Sequence, residues 1–289
     1  MRLHVLYRTH PGQNRKARPA YYSRSVALAS LRRSVEESGE PVRVSFVADG
    51  GMPAELAGAV REGERVHPVR GGSAASSMRA CVGVAEALAR EDDGDVLYWL
   101  AEDDYLYRPE AVASLLGAAA VVPDADYLTL YTADGSDWFA THPSQPSRDV
   151  PSLPGGPVAV GEHRWDRVRG TTSTFGVRSR ALREDAWLLR LASRAGAPFD
   201  GATWHALQGM EPYSWRHLHR DLDPAPSVRG VGKVAAKPVM RVVVNLASRR
   251  RAASRSRVLI APAQDLSMHL EEGLVPPGDD WARLAAETA

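Results

Sequence analysis

Three consecutive carboxylates, Glu102, Asp103 and Asp104, follow directly after an apolar run. Adjacent acids repel one another and resist ionising together unless a cation or a group of hydrogen-bond donors compensates them. Hard oxygen ligands of this kind suit Mg²⁺ or Mn²⁺ that is held together with a substrate phosphate. The triplet therefore indicates a divalent metal site, and an acidic surface turn at the end of a strand is the alternative interpretation.

The apolar run before the triplet predicts where these acids lie. Residues Asp95 to Ala101 are too few and too evenly apolar for an amphipathic helix, and the Val, Tyr and Trp among them favour extended backbone. The run is therefore typical of a strand buried on both faces, as in a parallel sheet. Because ligands of open α/β sheets bind beyond the carboxyl ends of the strands, we expect the triplet to face a ligand.

The first hundred residues predict the sheet that contains this strand. Apolar runs alternate with helix-length segments, which is the pattern of a parallel sheet with right-handed crossovers. The predicted strands cover residues 3–7, 42–47 and 65–69, and the predicted helices cover residues 21–38, 53–61 and 73–90. Arg8 and Thr9 follow the first strand and Asp49 follows the second, so the same edge of the sheet is expected to collect further polar groups.

The second half of the chain is less regular. After a helix that ends near residue 120, we predict strands at 126–131, 169–177 and 239–246, and helices at 179–195, 200–207 and 212–218. Residues 132–160 are rich in Pro, Gly and Ser and are longer than an ordinary connection, so we expect a substrate-facing loop.

Five arginines near the C-terminus form the strongest local charge cluster: Arg249, Arg250, Arg251, Arg255 and Arg257. A solvated loop is the interpretation that we favour for this cluster. Contact with anionic lipid, a phosphorylated acceptor or nucleic acid is the alternative.

Composition restricts the class of protein. A chain of 289 residues with 44% hydrophobic and 25% charged residues is typical of a soluble globular protein, and we favour one domain over residues 1–289. The formal net charge of +1 creates no overall basic field, so no nucleic-acid partner is expected. Because Cys81 is the only cysteine, an intramolecular disulfide and a multi-cysteine metal site are excluded.

The same composition bears on location. No segment reaches the roughly 20 apolar residues that span a bilayer, and the first residues lack the pattern of a signal peptide. We therefore expect a cytoplasmic protein without a transmembrane segment, and peripheral membrane contact stays open.

The order of strand, Asp-Gly turn, helix and acid-terminated strand resembles the GT-A class of nucleotide-sugar-dependent glycosyltransferases, over roughly residues 2–210. The resemblance implies an α/β fold with a Rossmann-like, mostly parallel central sheet flanked by helices and a C-terminal extension on the acceptor side. It implies that residues 1–131 bind a nucleoside-diphosphate sugar and residues 132–289 the acceptor. The implied activity is transfer of a sugar to a hydroxyl or amine of a small molecule or glycan.

The resemblance also implies roles for residues in the first half. An aspartate that ends the second strand contacts the nucleobase in this class, and Asp49 in Ala48-Asp49-Gly50 matches it. The acidic signature is usually Asp-x-Asp, but some members carry Glu-Asp-Asp, as residues 102–104 do. In those members the last carboxylate binds the metal, which implies Asp104 as the ligand of Mn²⁺ or Mg²⁺ and as a catalytic residue.

The other donor-binding residues follow from the same match. Asp103 is expected at the hydroxyls of the ribose or the sugar, and Glu102 is expected to orient its neighbours or to reach the metal through water. Arg8, Thr9 and Arg79 are expected to face the phosphates or the base, with a solvated or ion-paired arginine as the alternative.

Two residues of the second half complete the implied site. Asp200 is the nearest match to the general base of inverting members, although it could simply cap the helix that follows, and a retaining enzyme needs no such base. His269, in Ser267-Met268-His269-Leu270, is the implied additional metal ligand.

Two other functions remain open at this stage. A sugar nucleotidyltransferase would use an acidic metal site on a similar sheet, but it needs a glycine-rich, basic loop after the first strand, which residues 8–18 match poorly. The other alternative is a non-catalytic module that binds a nucleotide or a sugar.

Overall fold

The structure is a computed structural model that describes residues 1–12, 16–131, 150–194, 199–219, 228–275 and 280–289. The first half contains β1 (Arg2–Thr9), α1 (Arg24–Glu37), β2 (Val42–Asp49), α2 (Ala54–Ala57), β3 (Arg65–Val69), α3 (Ala74–Glu91), β4 (Val96–Glu102), β5 (Tyr105–Tyr107), α4 (Ala111–Val121) and β6 (Tyr127–Leu128). The second half contains β7 (Val158–Val160), β8 (His163–Arg167), β9 (Phe175–Arg178), α5 (Ser179–Ala192), α6 (Phe199–Leu207), a 3₁₀ turn (Trp215–His217), α7 (Val228–Ala253), β10 (Leu259–Pro262), β11 (Ser267–His269) and α8 (Trp281–Thr288).

Within the described residues, nine strands form the central sheet, in the order β3-β2-β1-β4-β9-β6-β10-β8-β7. The four strands of the first half, β3, β2, β1 and β4, are parallel to their neighbours. Strand β9 is antiparallel to both β4 and β6, and β8 is antiparallel to both β10 and β7. Only β8 and β9 in this described sheet therefore run against the other seven strands. The predicted α/β class, with a mostly parallel sheet flanked by helices, is confirmed.

Strand β4 lies in the sheet between β1 and β9 and is buried on both faces, as predicted. Leu97 and Trp99 pack into one core layer with residues of α4, whereas Tyr98 and Leu100 pack into the other layer with residues of α3 and α5. Burial of a large apolar side chain contributes roughly 1.5–3 kcal/mol, so this strand is among the most firmly held elements.

A second, two-stranded sheet joins the C-terminal segment, by which we mean residues 267–270, to the residues that follow the acidic triplet. Strand β11 runs antiparallel to β5 and places His269 opposite Tyr105, the residue that follows Asp104. The backbone N–H of Leu270 also donates to the carbonyl oxygen of Asp104 at 2.8 Å. This pairing positions the C-terminal segment beside the carboxyl end of β4.

The predicted strand at 239–246 is wrong, because these residues lie inside helix α7. Their valines favour extended backbone, but Val244 and Ala247 pack into the core at helical spacing. The buried amide of Asn245 also accepts from the backbone N–H of Tyr213 at 3.1 Å and donates to its carbonyl at 2.8 Å. Tertiary packing therefore overrides the local preference.

Other predicted elements are shorter in the structure or fall outside its described part. The helix at 53–61 is reduced to α2, the strand at 169–177 to β9, and the helix at 212–218 to the 3₁₀ turn. Most of the predicted substrate-facing loop, residues 132–149, lies outside the described residues.

The arginine cluster is not a solvated loop. Arg249, Arg250 and Arg251 lie in the last turns of α7, and Arg257 is 2% exposed. The Arg257 Nε atom donates to Asp185 Oδ2 at 2.7 Å, and its Nη1 atom lies 3.6 Å from Asp126 Oδ1. Burial opposes the charge of Arg257, but the two carboxylates outweigh it and raise its pKa. Arg257 thus lies between two buried acids, which Arg251, Arg180 and Arg255 also approach from less buried positions.

We expect Arg257→Met to lower the free energy of unfolding by about 3–5 kcal/mol, because it removes the most buried of the cations that face two buried carboxylates. Urea denaturation measures this change. The matched control is Arg61→Met, which removes an arginine that is 57% exposed in its pair with Glu36. An exposed ion pair contributes little, so a similar loss in both variants would contradict the buried role of Arg257.

Candidate functional site

A cavity of about 820 Å³ opens at the carboxyl ends of β1, β2 and β4. The described residues that line it include four acids and four arginines: Asp49, Glu102, Asp103, Asp104, Arg8, Arg18, Arg24 and Arg70. Opposite charges at this density hold one another in place and leave both acceptors and cations for a polar, anionic ligand. The cavity lies at the edge of the sheet where the sequence predicts a ligand.

Asp49 ends β2 and ties two loops together at the rim of the cavity. Its Oδ1 atom accepts a hydrogen bond from the backbone N–H of Gly71 at 2.6 Å. Gly50 follows in the left-handed region, at φ +78°, and turns the chain away from the sheet. A Cβ atom on Gly71 would lie only 2.6 Å from Asp49 Oδ2 and 2.5 Å from the Ser77 nitrogen, so the close approach requires glycine.

The first two acids of the triplet are held by side chains from β1. Arg8 lies opposite Glu102 in the register of β1 and β4, and the two form an ion pair. Thr9 donates to Asp103 Oδ2 at 2.5 Å, and Arg24 Nε lies 3.0 Å from the same oxygen. The ladder between the two strands therefore sets the positions of these carboxylates.

The two carboxylate oxygens of Asp104 differ in their hydrogen-bond partners. Oδ2 accepts from Arg18 Nη2 at 2.8 Å and lies 3.1 Å from His269 Nε2. Oδ1 is buried and has no hydrogen-bond partner among the residues that the structure describes. The ring of Tyr105 stacks on that of His269, with centroids 4.9 Å apart and planes within 1°, which fixes the imidazole beside the carboxylate.

The neighbouring acids differ in acidity. Burial and the charge of Asp104 raise the pKa of Asp103. Burial also opposes the charge of Asp104, but hydrogen bonds and positive charge from His269 and Arg18 outweigh it and hold the pKa of Asp104 well below its usual range. The surroundings of Asp104 therefore favour its ionised form, which is the form of a carboxylate that binds metals.

One predicted site residue stands apart from this arrangement, and the side chain of a second lies outside what the structure describes. The guanidinium of Arg79 donates to Ser76 Oγ at 2.5 Å and to Ser193 Oγ at 3.2 Å, and Arg79 is not among the residues that line the cavity. Asp200 lies in the first turn of α6, within the helix and not before it. The structure describes its backbone but not its side chain, so its role stays a prediction.

Three arginines that line the cavity were not predicted as site residues from the sequence: Arg18, Arg24 and Arg70. Arginine is frequent in this chain, so single arginines carried little information. Arg70 had a usable signal, because it directly follows the predicted strand at 65–69. Arg18 and Arg24 had none, since the acids that they contact in the triplet, Asp104 and Asp103, lie 86 and 79 positions away.

No family model matches the chain, and no curated protein matches it. Among solved structures, it is similar to a CMP:2-keto-3-deoxy-manno-octonic acid synthetase complexed with CTP, at 15% identity and a TM-score of 0.40, over 65% of this chain and 78% of that protein. It is similar to TarS of S. aureus at 13% identity and a TM-score of 0.39, over 71% of this chain and 34% of TarS.

A third structure, the galactosyltransferase LgtC in complex with donor and acceptor sugar analogues, is similar at 12% identity and a TM-score of 0.35, over 64% of this chain and 61% of LgtC. At these scores the similarities carry no argument about function, and the fold is defined by the strand order of the chain itself. Within the described residues, no helix combines the length and the apolar character that crossing a membrane requires.

We expect Gly71→Ala to lower the free energy of unfolding by roughly 1–3 kcal/mol, because its methyl group overlaps Asp49 and the backbone of Ser77. Thermal or urea unfolding measures the change. Gly58→Ala is the matched control, since Gly58 has φ −81° and open space around its Cβ position. Equal stability of the two variants would contradict this prediction, because it would show that the loop at Gly71 accommodates the methyl group without loss of stability.

Proposed function

We propose that this chain is a metal-dependent glycosyltransferase. It takes a nucleoside-diphosphate sugar as donor and passes the sugar to a hydroxyl or amine of a small-molecule or glycan acceptor. The observation that carries the proposal is the single cavity that joins Asp49 to the acidic triplet at the carboxyl edge of the sheet. Its volume of about 820 Å³ suits a ligand with a base, two phosphates and a sugar.

The donor is proposed to lie across this edge, with its base at Asp49. Gly71 occupies Oδ1 of Asp49, and Oδ2 then accepts an N–H of the base. The arginines of the cavity bind the phosphates through their planar forks. Asp103 accepts hydroxyl hydrogen bonds from ribose or sugar, while Glu102 keeps Arg8 in place through their ion pair.

Asp104 and His269 are the residues that we propose to hold Mn²⁺ or Mg²⁺. The buried Oδ1 atom, which has no hydrogen-bond partner among the described residues, and the imidazole nitrogen 3.1 Å from Oδ2 fit this role. Among the described residues, no three His, Cys, Asp or Glu side chains are grouped to bind a metal by themselves. Donor phosphates and water must therefore supply the remaining ligands, as is common for these ions.

A bound divalent ion would act as Lewis acid and template and would offset the negative charge that develops on the leaving diphosphate. The chain supplies the rest. Arginines from three segments preorganise positive charge around the diphosphate, and the backbone ladder of β1 and β4 fixes the acids. In an inverting reaction Asp200 would accept the proton of the acceptor hydroxyl.

The first test is calorimetry with a panel of nucleoside diphosphates, with and without Mn²⁺. We expect the preferred nucleotide to bind at least about tenfold more tightly with Mn²⁺, and Asp104→Asn to remove that gain, a change of about 1.4 kcal/mol or more. Asp124→Asn, at a carboxylate that is 89% exposed, should bind as the wild type does. Binding that ignores Mn²⁺ and survives Asp104→Asn would defeat the assignment.

A second test concerns the proposed base. Asp200→Asn should lower turnover by about 10²- to 10⁴-fold while nucleotide binding stays unchanged, because a general base acts on the acceptor. Steady-state assay of nucleoside diphosphate release measures turnover, and calorimetry supplies the binding control. Turnover within a few-fold of the wild type would remove Asp200 from the mechanism.

A sugar nucleotidyltransferase is the second candidate, and one observation favours it. The loop after β1 contributes His10, Pro11, Gly12 and Arg18 to the cavity, as a basic loop around a nucleoside triphosphate would. The leaving group separates the two reactions. Release of pyrophosphate from a nucleoside triphosphate and a sugar would replace the proposal, whereas release of a nucleoside diphosphate from the sugar nucleotide supports it. A module without catalysis would release neither.

A further inference from the structure

Arg18 connects three parts of the site. Its Nη2 atom donates to Asp104 Oδ2 at 2.8 Å, and its Nη1 atom donates to the carbonyl oxygen of Leu270 at 2.6 Å. Its guanidinium carbon lies 4.8 Å from the centroid of the Tyr22 ring. The side chain is only 13% exposed and lines the cavity. Arg18 is therefore held between the C-terminal segment and the acid that is proposed to bind the metal.

The guanidinium occupies the oxygen that a metal ion requires. Asp104 Oδ2 is the oxygen near His269 Nε2, so an ion held between these two residues contacts Oδ2 in addition to Oδ1, which is unpartnered among the described residues. In the structure that oxygen already accepts from a cationic donor at 2.8 Å. A divalent cation at the same oxygen would be repelled by the guanidinium and would lose the carboxylate charge that Arg18 neutralises.

A diphosphate offers the guanidinium another partner. Arg18 faces the same cavity as Arg70 and Arg24, and the forked guanidinium matches phosphate oxygens as well as it matches a carboxylate. The contacts of Arg18 with Leu270 and Tyr22 do not involve Asp104, so the side chain keeps two supports when it leaves the acid.

We propose that Arg18 couples the binding of the diphosphate to the binding of the metal. Without a diphosphate, Arg18 is paired with Asp104 and disfavours the metal; with a diphosphate, it turns to the phosphate oxygens and releases Asp104 Oδ2. The inference rests on the proposed function. Because coupling between two ligands is reciprocal, the metal strengthens diphosphate binding by the same factor. The protein thus avoids holding a metal ion before its donor arrives.

The test measures Mn²⁺ binding alone, by the electron paramagnetic resonance of free Mn²⁺, and then with inorganic pyrophosphate as the probe. Arg18→Gln should bind Mn²⁺ at least tenfold more tightly than the wild type in the absence of pyrophosphate. It should also bind pyrophosphate more weakly in the absence of Mn²⁺. The ratio of Mn²⁺ dissociation constants without and with pyrophosphate should therefore fall in this variant.

Two further variants separate this coupling from a general change of charge. Arg18→Lys keeps the cation beside Asp104 and should resemble the wild type in the absence of pyrophosphate. Arg70→Gln removes one positive charge from the same cavity but makes no ion pair with Asp104, so it should change Mn²⁺ binding much less than Arg18→Gln. An equal gain in Arg70→Gln and Arg18→Gln would overturn the inference.

The remaining outcomes distinguish this inference from the proposed function. If all variants bind Mn²⁺ and Arg18→Gln binds it no more tightly than the wild type, the coupling is wrong and the metal-dependent function stands. If neither the wild type nor Arg18→Gln binds Mn²⁺ with or without pyrophosphate, the metal site itself is wrong and the inference fails with it.

Discussion

The burial of β4 on both faces is the constraint on which the site depends. Side chains of a strand alternate between its faces, so a shift of one residue would exchange the sets that pack into the two core layers. Trp99 on one face and Tyr98 on the other make such a shift costly. The register is thus fixed, and it places Glu102 opposite Arg8 in β1. The acids leave the sheet at a position that the hydrophobic core has determined.

The charges at this edge are balanced by residues that are distant in sequence. Arginines from β1, from the segment before α1 and from the start of α1 pair with the three carboxylates at and just after the end of β4. Each pair restrains its members, so the cavity presents a preorganised polar surface. A concentration of charge in one cleft is costly for stability, and proteins tolerate such costs mainly where function requires them.

The sequence allowed the first half of the fold to be predicted because its signals are local. The strands at 3–7, 42–47 and 65–69 and the helix at 73–90 are formed with boundaries within a few residues of those predicted. Asp49 and the triplet were identified because polar residues at the ends of apolar runs mark an edge of a sheet. Arg18 could not be identified, since only the tertiary structure brings it to Asp104.

The second half depends on contacts that no local pattern encodes. Residues 239–246 have the composition of a strand, yet they form part of a helix that packs against the core through Val244 and Ala247. Arg257 belongs to an arginine-rich run whose composition suggests solvent exposure, but it is buried in ion pairs with Asp126 and Asp185. In both cases the structure of the segment depends on a contact with residues dozens of positions away. The pattern of residues within the segment therefore does not predict it.

The pairing of β5 with β11 also sets the order in which the molecule is completed. Asp104 and His269 are 165 positions apart, and chains fold from their N-terminal side while they emerge from the ribosome. Residues 2–102, which contain β1 to β4, are therefore synthesised well before the partner of β5. Asp104 acquires its histidine only after residues 267–269 have been added to the chain.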